Sequence, residues 1–188
     1  MASPKVRLYE DIDGCLNAEY NARAWRTAED VGSVGAGYQR AWVHPEYDDF
    51  GVRKGTGMIK YRMEWNDRLI GALNELPVEL VWATTWRADA LKVGTAMKLI
   101  HTPQRILHPV NGRTTFPSID WKYESIRLEQ DTSPSPFIWV DDEIDSIPYI
   151  ARERMEKGYG GLLISPEPNL GLTPIHIDQM REYIDAHQ

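Results

Sequence analysis

Tyr9–Asn17 reads YEDIDGCLN, and it sets Glu10, Asp11 and Asp13 almost side by side ahead of Gly14. The stretch follows directly on Val6–Tyr9, a short and largely apolar run of strand-forming residues. Like charges crowded at the end of a strand repel one another, so they call for a compensating cation or a chemical task. Strand alternation sends Asp11 and Asp13 to one side and Glu10 with Ile12 to the other, so only two of the three can share a site. For Glu10 two expectations stand: a pairing with a cation such as Arg87 or Lys60, or a face wetter than expected.

Working outward, three further runs have the length and composition of buried strands: Val78–Ala83, Phe137–Val140 and Leu162–Ile164. Helical periodicity lies between them, with Met63, Leu69, Ile70, Leu73 and Leu76 marking one helix over 63–76 and Tyr149–Lys157 a shorter one behind Pro148. A last helix begins at Thr173, an N-cap followed by Pro174, and runs toward Ala186. Alternating strands and helices predict an α/β fold with a Rossmann-like, doubly wound parallel sheet. Two segments break the alternation. Residues 18–62, rich in Gly, Trp and Tyr, read as a small insertion or flap after the first strand. The stretch from Ala90 to Ile119, with Pro103, Pro109, Gly112 and Pro117, is irregular except for a candidate strand at Arg105–Leu107.

The 188 residues suit one domain with a full core, and 42% hydrophobic residues with seven tryptophans exclude a disordered chain. No long uncharged apolar run suggests a membrane span, and nothing in MASPKVRLYED marks secretion, so a cytoplasmic setting is expected. Cys15 is the only cysteine, which excludes an internal disulfide or a multi-cysteine zinc site, and the five histidines have no metal-ligand spacing. A net charge of −7 argues against a broadly basic, sequence-independent grip on nucleic acid.

All three best strands end in reactive polar residues: Asp11-Ile12-Asp13-Gly14, then Thr84-Thr85-Trp86-Arg87, then Asp141-Asp142. The carboxyl ends of parallel strands converge on one edge of the sheet, so these groups meet although roughly 130 residues separate the first from the last. Four aspartates gathered there need a cation, and hard oxygen ligands point to Mg²⁺, with a phosphate group on the substrate completing the charge balance. Thr84 and Lys122 are its natural receptors; Thr85 competes with Thr84 for that role, and Arg87 can reach the substrate or form a salt bridge on the next helix.

This ordered set, DIDG after one strand, Thr84 after another, Lys122 in DWKYESI and Asp141-Asp142 after FIWV, resembles the four motifs of the haloacid dehalogenase (HAD) superfamily of phosphohydrolases, over a core from Val6 to Ile164. VWATTWRADA and SPEPNLGLTPIHID are similar to the small domains of that type grouped with RNA-repair proteins. The resemblance implies a HAD-type phosphatase in which Asp11 attacks phosphorus to form an aspartyl-phosphate and Asp13 serves as general acid and then general base. It implies Mg²⁺ held by Asp11, the Asp13 backbone carbonyl and Asp141, with Asp142 beside them, and Lys122 neutralising developing charge. It further implies a phosphate ester as substrate, with a 3′-phosphatase of RNA or DNA ends as the specific expectation and a small-molecule or nucleotide phosphatase as the alternative.

Blander readings exist for each residue: a surface turn for DIDG, a helix N-terminal pair for Asp141 and Asp142, a solvated lysine for Lys122, a helix-surface acid for Asp145. In FGVRKGTGMIKYR, Arg53, Lys54, Lys60 and Arg62 form a basic patch that can guide a polyanion, with Trp42 or Tyr61 stacking on a base, or else a glycine-rich hairpin flap with solvated charges. From another class, a receiver-like regulatory domain also gathers acids, Thr and Lys, but its acid pair precedes the lysine, whereas here the final pair follows it. A catalytically silent binding scaffold is the third possibility.

Overall fold

The structure, a computed structural model, describes residues 5–25, 27, 37–44, 60–112 and 118–188. Five parallel strands form the main sheet: β1 (Arg7–Glu10), β4 (Glu79–Trp82), β5 (Arg105–Ile106), β6 (Phe137–Val140) and β7 (Leu162–Ile164), in the order β5-β4-β1-β6-β7. The chain builds outward from β1 to β4 and β5, then returns to the other side for β6 and β7. That reversal makes the carboxyl end of β1 a topological switch point, the place where open α/β sheets bind ligands.

Helices cover both faces, as a doubly wound sheet requires. On one face, α2 (Asp67–Asn74), α3 (Ala90–Met97) and α6 (Pro174–Asp185) pack against Leu8, Leu80, Trp82, Ile138 and Val140. On the other, α4 (Ser118–Thr132) and the segment around Met155 pack against Tyr9, Val81, Phe137 and Trp139. Alternation along each strand assigns its residues to the two layers in turn, and every residue of β6 is buried. Helix α5 (Tyr149–Glu153) leads into a π-helical turn at Arg154–Gly158. No helix among the described residues is long and apolar enough to cross a membrane.

Between β1 and α2 lie a short helix, α1 (Asn21–Ala24), and an antiparallel pair, β2 (Tyr38–Val43) with β3 (Tyr61–Asn66). This corrects the sequence reading of one helix from Met63 to Leu76. Met63–Asn66 is strand, and Asn66 is the N-cap of α2, its side chain accepting the Arg68 N–H. Met63 fits the helical period yet reaches the core from the hairpin, which is how the periodicity misled. The span from Ala90 also proves more regular than its composition suggests, since Ala90–Met97 is helical. Gly94 weakens the helical signal there, but a Cβ at that position would lie 2.8 Å from Gln104 Oε1 and 3.1 Å from Trp82. Arg53, Lys54 and Pro117 fall outside the described residues.

The loop before α6 closes over the turn that follows β1. Leu172 N–H donates to the Cys15 carbonyl at 2.9 Å, Asn21 Nδ2 donates to the Leu170 and Leu172 carbonyls, and Trp25 Nε1 donates to Leu172 O at 2.8 Å. Gly171 makes this approach possible: its φ is +64°, and an added Cβ would lie 2.3 Å from the Cys15 carbonyl oxygen. Gly171→Ala is expected to cost at least about 1–2 kcal/mol from the left-handed backbone alone, with the clash adding to it. Thermal unfolding of the variant checks this, and an unchanged midpoint would refute the close approach.

Candidate functional site

Register decides which side chains meet. Glu10 pairs with Trp82 on one side and Val140 on the other, so Asp11 and Asp141 lie one step beyond the last paired residues of adjacent strands. Asp11 N–H donates to Val140 O and Asp141 N–H to Ile164 O, both at 3.1 Å, which fixes the two backbones. Asp142 follows, and oxygens of Asp11, Asp141 and Asp142 lie within 4.8 Å of one another. Gly14, with φ +70°, turns the chain beside them; a Cβ there would sit 2.4 Å from Asp142 Cγ.

Lys122 enters from α4 with 1% exposure, so the solvated-lysine reading fails. Its Nζ donates to Asp11 Oδ2 at 2.5 Å and Asp141 Oδ2 at 2.7 Å. Burial alone would lower the Lys122 pKa, but the charges and hydrogen bonds of Asp11 and Asp141 more than offset that and raise it. Burial pushes Asp141 up to about 7, with Lys122 opposing and Asp11 reinforcing the shift. Burial and the Asp11 charge push Asp142 to about 6. One lysine therefore does not neutralise the three aspartates. Hard oxygen donors at this spacing, left with excess negative charge, fit a divalent cation.

Asp13 is not part of that triad, because its carboxylate is engaged elsewhere. Asn17 Nδ2 donates to Oδ1 and Trp86 Nε1 to Oδ2, each at 2.8 Å. Solvent reaches Asp13, but the surrounding walls withdraw enough water to raise its carboxyl pKa, against the lowering effect of the two donors. Asn17 Oδ1 also accepts the Glu64 N–H at 2.9 Å, and Tyr61 meets Trp86 edge-on at 5.2 Å. Both partners of Asp13 are thus braced by the β2–β3 hairpin.

A recess of about 260 Å³ opens over these groups, lined by Asp11, Asp13, Gly14, Thr85, Ser118, Lys122, Asp142, Glu143 and Pro168. Of the two threonines left open by the sequence, Thr85 lines the recess; Thr84 is fully buried, its hydroxyl oxygen 3.4 Å from the Trp86 N–H. Arg87 lies just beyond, its guanidinium carbon 5.6 Å from the centre of the Trp121 ring. Asp145 pairs with Arg152 at 2.5 Å on the surface, the bland reading. Arg62, expected as part of a free basic patch, forms an ion pair with Glu64 at 2.9 Å, as does Arg40. A larger recess of about 610 Å³ near Tyr159 and Tyr183 lies by the Pro134–Pro136 turn before β6, at the amino ends of the strands.

Asn17, Trp86, Ser118, Glu143 and Pro168 were not singled out from the sequence. Asn17 and Trp86 stand inside the quoted motifs, so asking what orients the Asp13 carboxylate would have found them. Ser118 opens α4, while Glu143 and Pro168 come from loops, and the approach of all three depends on tertiary packing.

Both expectations for Glu10 fail. The residue is 1% exposed, and neither carboxylate oxygen has a hydrogen-bond partner among the described residues. Burial, then the charges of Asp11 and Asp141, raise its pKa well above the usual carboxylate range. No protein-family model matches the chain, and neither a curated protein nor a solved structure matches it.

The raised Glu10 pKa has a definite sign in stability. Its contribution is fully present below the unfolded-state value of 4.5 and is lost as pH rises toward the folded-state value, because only the unfolded chain releases the proton in that window. Glu10→Leu is therefore expected to be more stable than wild type at pH 7 by about 1–3 kcal/mol, with the gain shrinking toward pH 4.5. Denaturant melts across that range check it; a loss of stability at pH 7 would mean that Glu10 has a partner after all.

Proposed function

We propose that this chain is a Mg²⁺-dependent phosphomonoesterase of the haloacid dehalogenase type that works through an aspartyl-phosphate on Asp11. One observation carries the reading: Asp11, Asp141 and Asp142 converge within 4.8 Å at the switch point of a parallel sheet, with the Lys122 ammonium buried against two of them. The order of the motifs in the chain, with the acid pair after the lysine, supports this type over a receiver-like domain.

In the first step a carboxylate oxygen of Asp11 bonds to phosphorus while the ester P–O bond breaks, and Asp13 gives its proton to the departing oxygen. In the second, Asp13 takes a proton from water, the water oxygen bonds to phosphorus, and the Asp11–phosphate bond breaks to free the carboxylate and inorganic phosphate. Asn17 and Trp86 hold both oxygens of Asp13, so the proton donor does not have to find its orientation during the reaction. The raised pKa of Asp13 favours the protonated form that the first step needs. Lys122 would offset charge on the transferring phosphoryl group, and Thr85, which lines the recess, would receive one of its oxygens. Asp11, Asp141 and the Asp13 carbonyl would hold Mg²⁺ with Asp142 close by; when bound, the ion supplies positive charge to the phosphate and keeps the acids ionised.

The recess opens directly to solvent, which suits the phosphorylated 3′ end of RNA or DNA, the substrate that the likeness to RNA-repair domains suggests. A second reading, a nucleotide or other small phosphate ester, is favoured by Glu64, whose pairing with Arg40 and Arg62 removes part of the basic surface expected to guide a polyanion.

Hydrolysis of p-nitrophenyl phosphate, mononucleotides and 3′-phosphorylated oligonucleotides is expected with Mg²⁺ and not with EDTA. Asp11→Asn is expected to lower kcat by about 10³-fold or more. Wild-type turnover by Asp11→Asn, or full activity in EDTA, would overturn the reading; a preference for mononucleotides over phosphorylated oligonucleotides would decide between the two substrate classes.

A further inference from the structure

Arg87 is a cation without an ion pair among the described residues, two positions along the chain from Thr85 of the recess. Its Nε and Nη2 are buried and have no hydrogen-bond partner among the described residues. Burial lowers its pKa, and no carboxylate among the described residues offsets the effect. The guanidinium carbon stands 5.6 Å from the Trp121 ring centre, and the Trp121 Nε1 donor is likewise buried without an acceptor. A stacked arginine engages its ring partner through the guanidinium plane, while its N–H donors lie in that plane and still require acceptors. Three buried donor atoms without an acceptor among the described residues form an arrangement complementary to an anion.

The backbone points the same way. Arg87 has φ +52°, a left-handed conformation uncommon outside glycine, and its N–H donates to the Thr84 carbonyl. Backbone held in such a conformation concentrates at ligand sites, where packing enforces it. The residue as a whole is half-buried, while its Nε and Nη2 atoms are fully covered. Arg87 and Trp121 do not themselves line the recess over Asp11, but Thr85, two residues before Arg87, and Ser118 and Lys122, on the same helix as Trp121, do.

We propose that Arg87, backed by Trp121, receives a second phosphate group of the substrate, flanking the phosphoryl group that reacts at Asp11. This rests on the phosphatase reading and narrows its substrate class to esters carrying two phosphate groups. A planar guanidinium with free N–H edges matches phosphate in a bidentate manner, whether that phosphate is a second monoester or an internucleotide diester.

The test is calorimetric binding with Mg²⁺ to the full chain carrying Asp11→Asn, which keeps ligands unhydrolysed. Adenosine 3′-monophosphate, adenosine 3′,5′-bisphosphate and a 3′-phosphorylated dinucleotide are compared, the last two distinguishing a monoester from a diester as the second phosphate. At least one of the two is expected to bind about tenfold or more tightly than the monophosphate. Arg87→Gln added to that background is expected to abolish the advantage, and Arg87→Lys, which keeps the charge but not the fork, to retain part of it. No advantage for either two-phosphate ligand with Arg87 intact would overturn the proposal, whatever the variants do; so would an advantage that survives Arg87→Gln. If the advantage and its Arg87 dependence appear while wild type hydrolyses none of the three ligands, the subsite stands and the phosphatase reading falls. If wild type hydrolyses them without any such preference, the reverse holds.

Discussion

The buried contact of Lys122 with Asp11 and Asp141 governs the arrangement of the site. It joins α4 to the carboxyl ends of two adjacent strands, at 2.5 and 2.7 Å, in a place where all three groups are 7% exposed or less. Removing an ammonium from water is costly, and only two carboxylates held at hydrogen-bonding distance make it tolerable. The same contact leaves a charge imbalance, because Asp142 and part of the charge on Asp141 remain uncompensated. Burial keeps both pKa values high, at about 6 and about 7, where a divalent cation would lower them. The lysine that ties α4 to the sheet thus also lies against the acidic cluster that could hold a divalent cation.

A second layer of contacts orients Asp13. Asn17 and Trp86 each donate to one of its oxygens, and both rest on the β2–β3 hairpin, through the Glu64 backbone and the Tyr61 ring. The hairpin holds the Asp13 carboxylate in a fixed orientation two residues from Asp11, so changes in the hairpin are transmitted to Asp13 through Asn17 and Trp86.

Most of the sheet was legible in the sequence because its strands are short, apolar and bounded by turns; Phe137–Val140 and Leu162–Ile164 match to the residue. The polar residues of the candidate site were legible for a related reason, since groups directly after buried parallel strands lie at one edge. Other features were hidden by competing demands on the same residues. The buried side of α4 carries Lys122, Ser125 and Gln130 beside Ile119, Trp121 and Ile126, so its apolar periodicity is broken by buried polar residues, of which Lys122 meets Asp11 and Asp141. Met63 satisfied a helical period from a strand. Glu10 was recognised as anomalous, but alternation alone could not show that its oxygens would be left without partners; that depends on what packs across the sheet.

A covalent bond to Asp11 is the central claim, and trapping it is the direct measurement. The Asp13→Asn variant, slowed in releasing the phosphoryl group, is mixed with Mg²⁺ and p-nitrophenyl phosphate, quenched in acid and mapped by peptide mass spectrometry. The account predicts one added phosphoryl group, sensitive to hydroxylamine, on the peptide containing Asp11, and none when Asp11→Asn is also present. Substrate turnover with no such adduct, or an adduct on another residue, would contradict it.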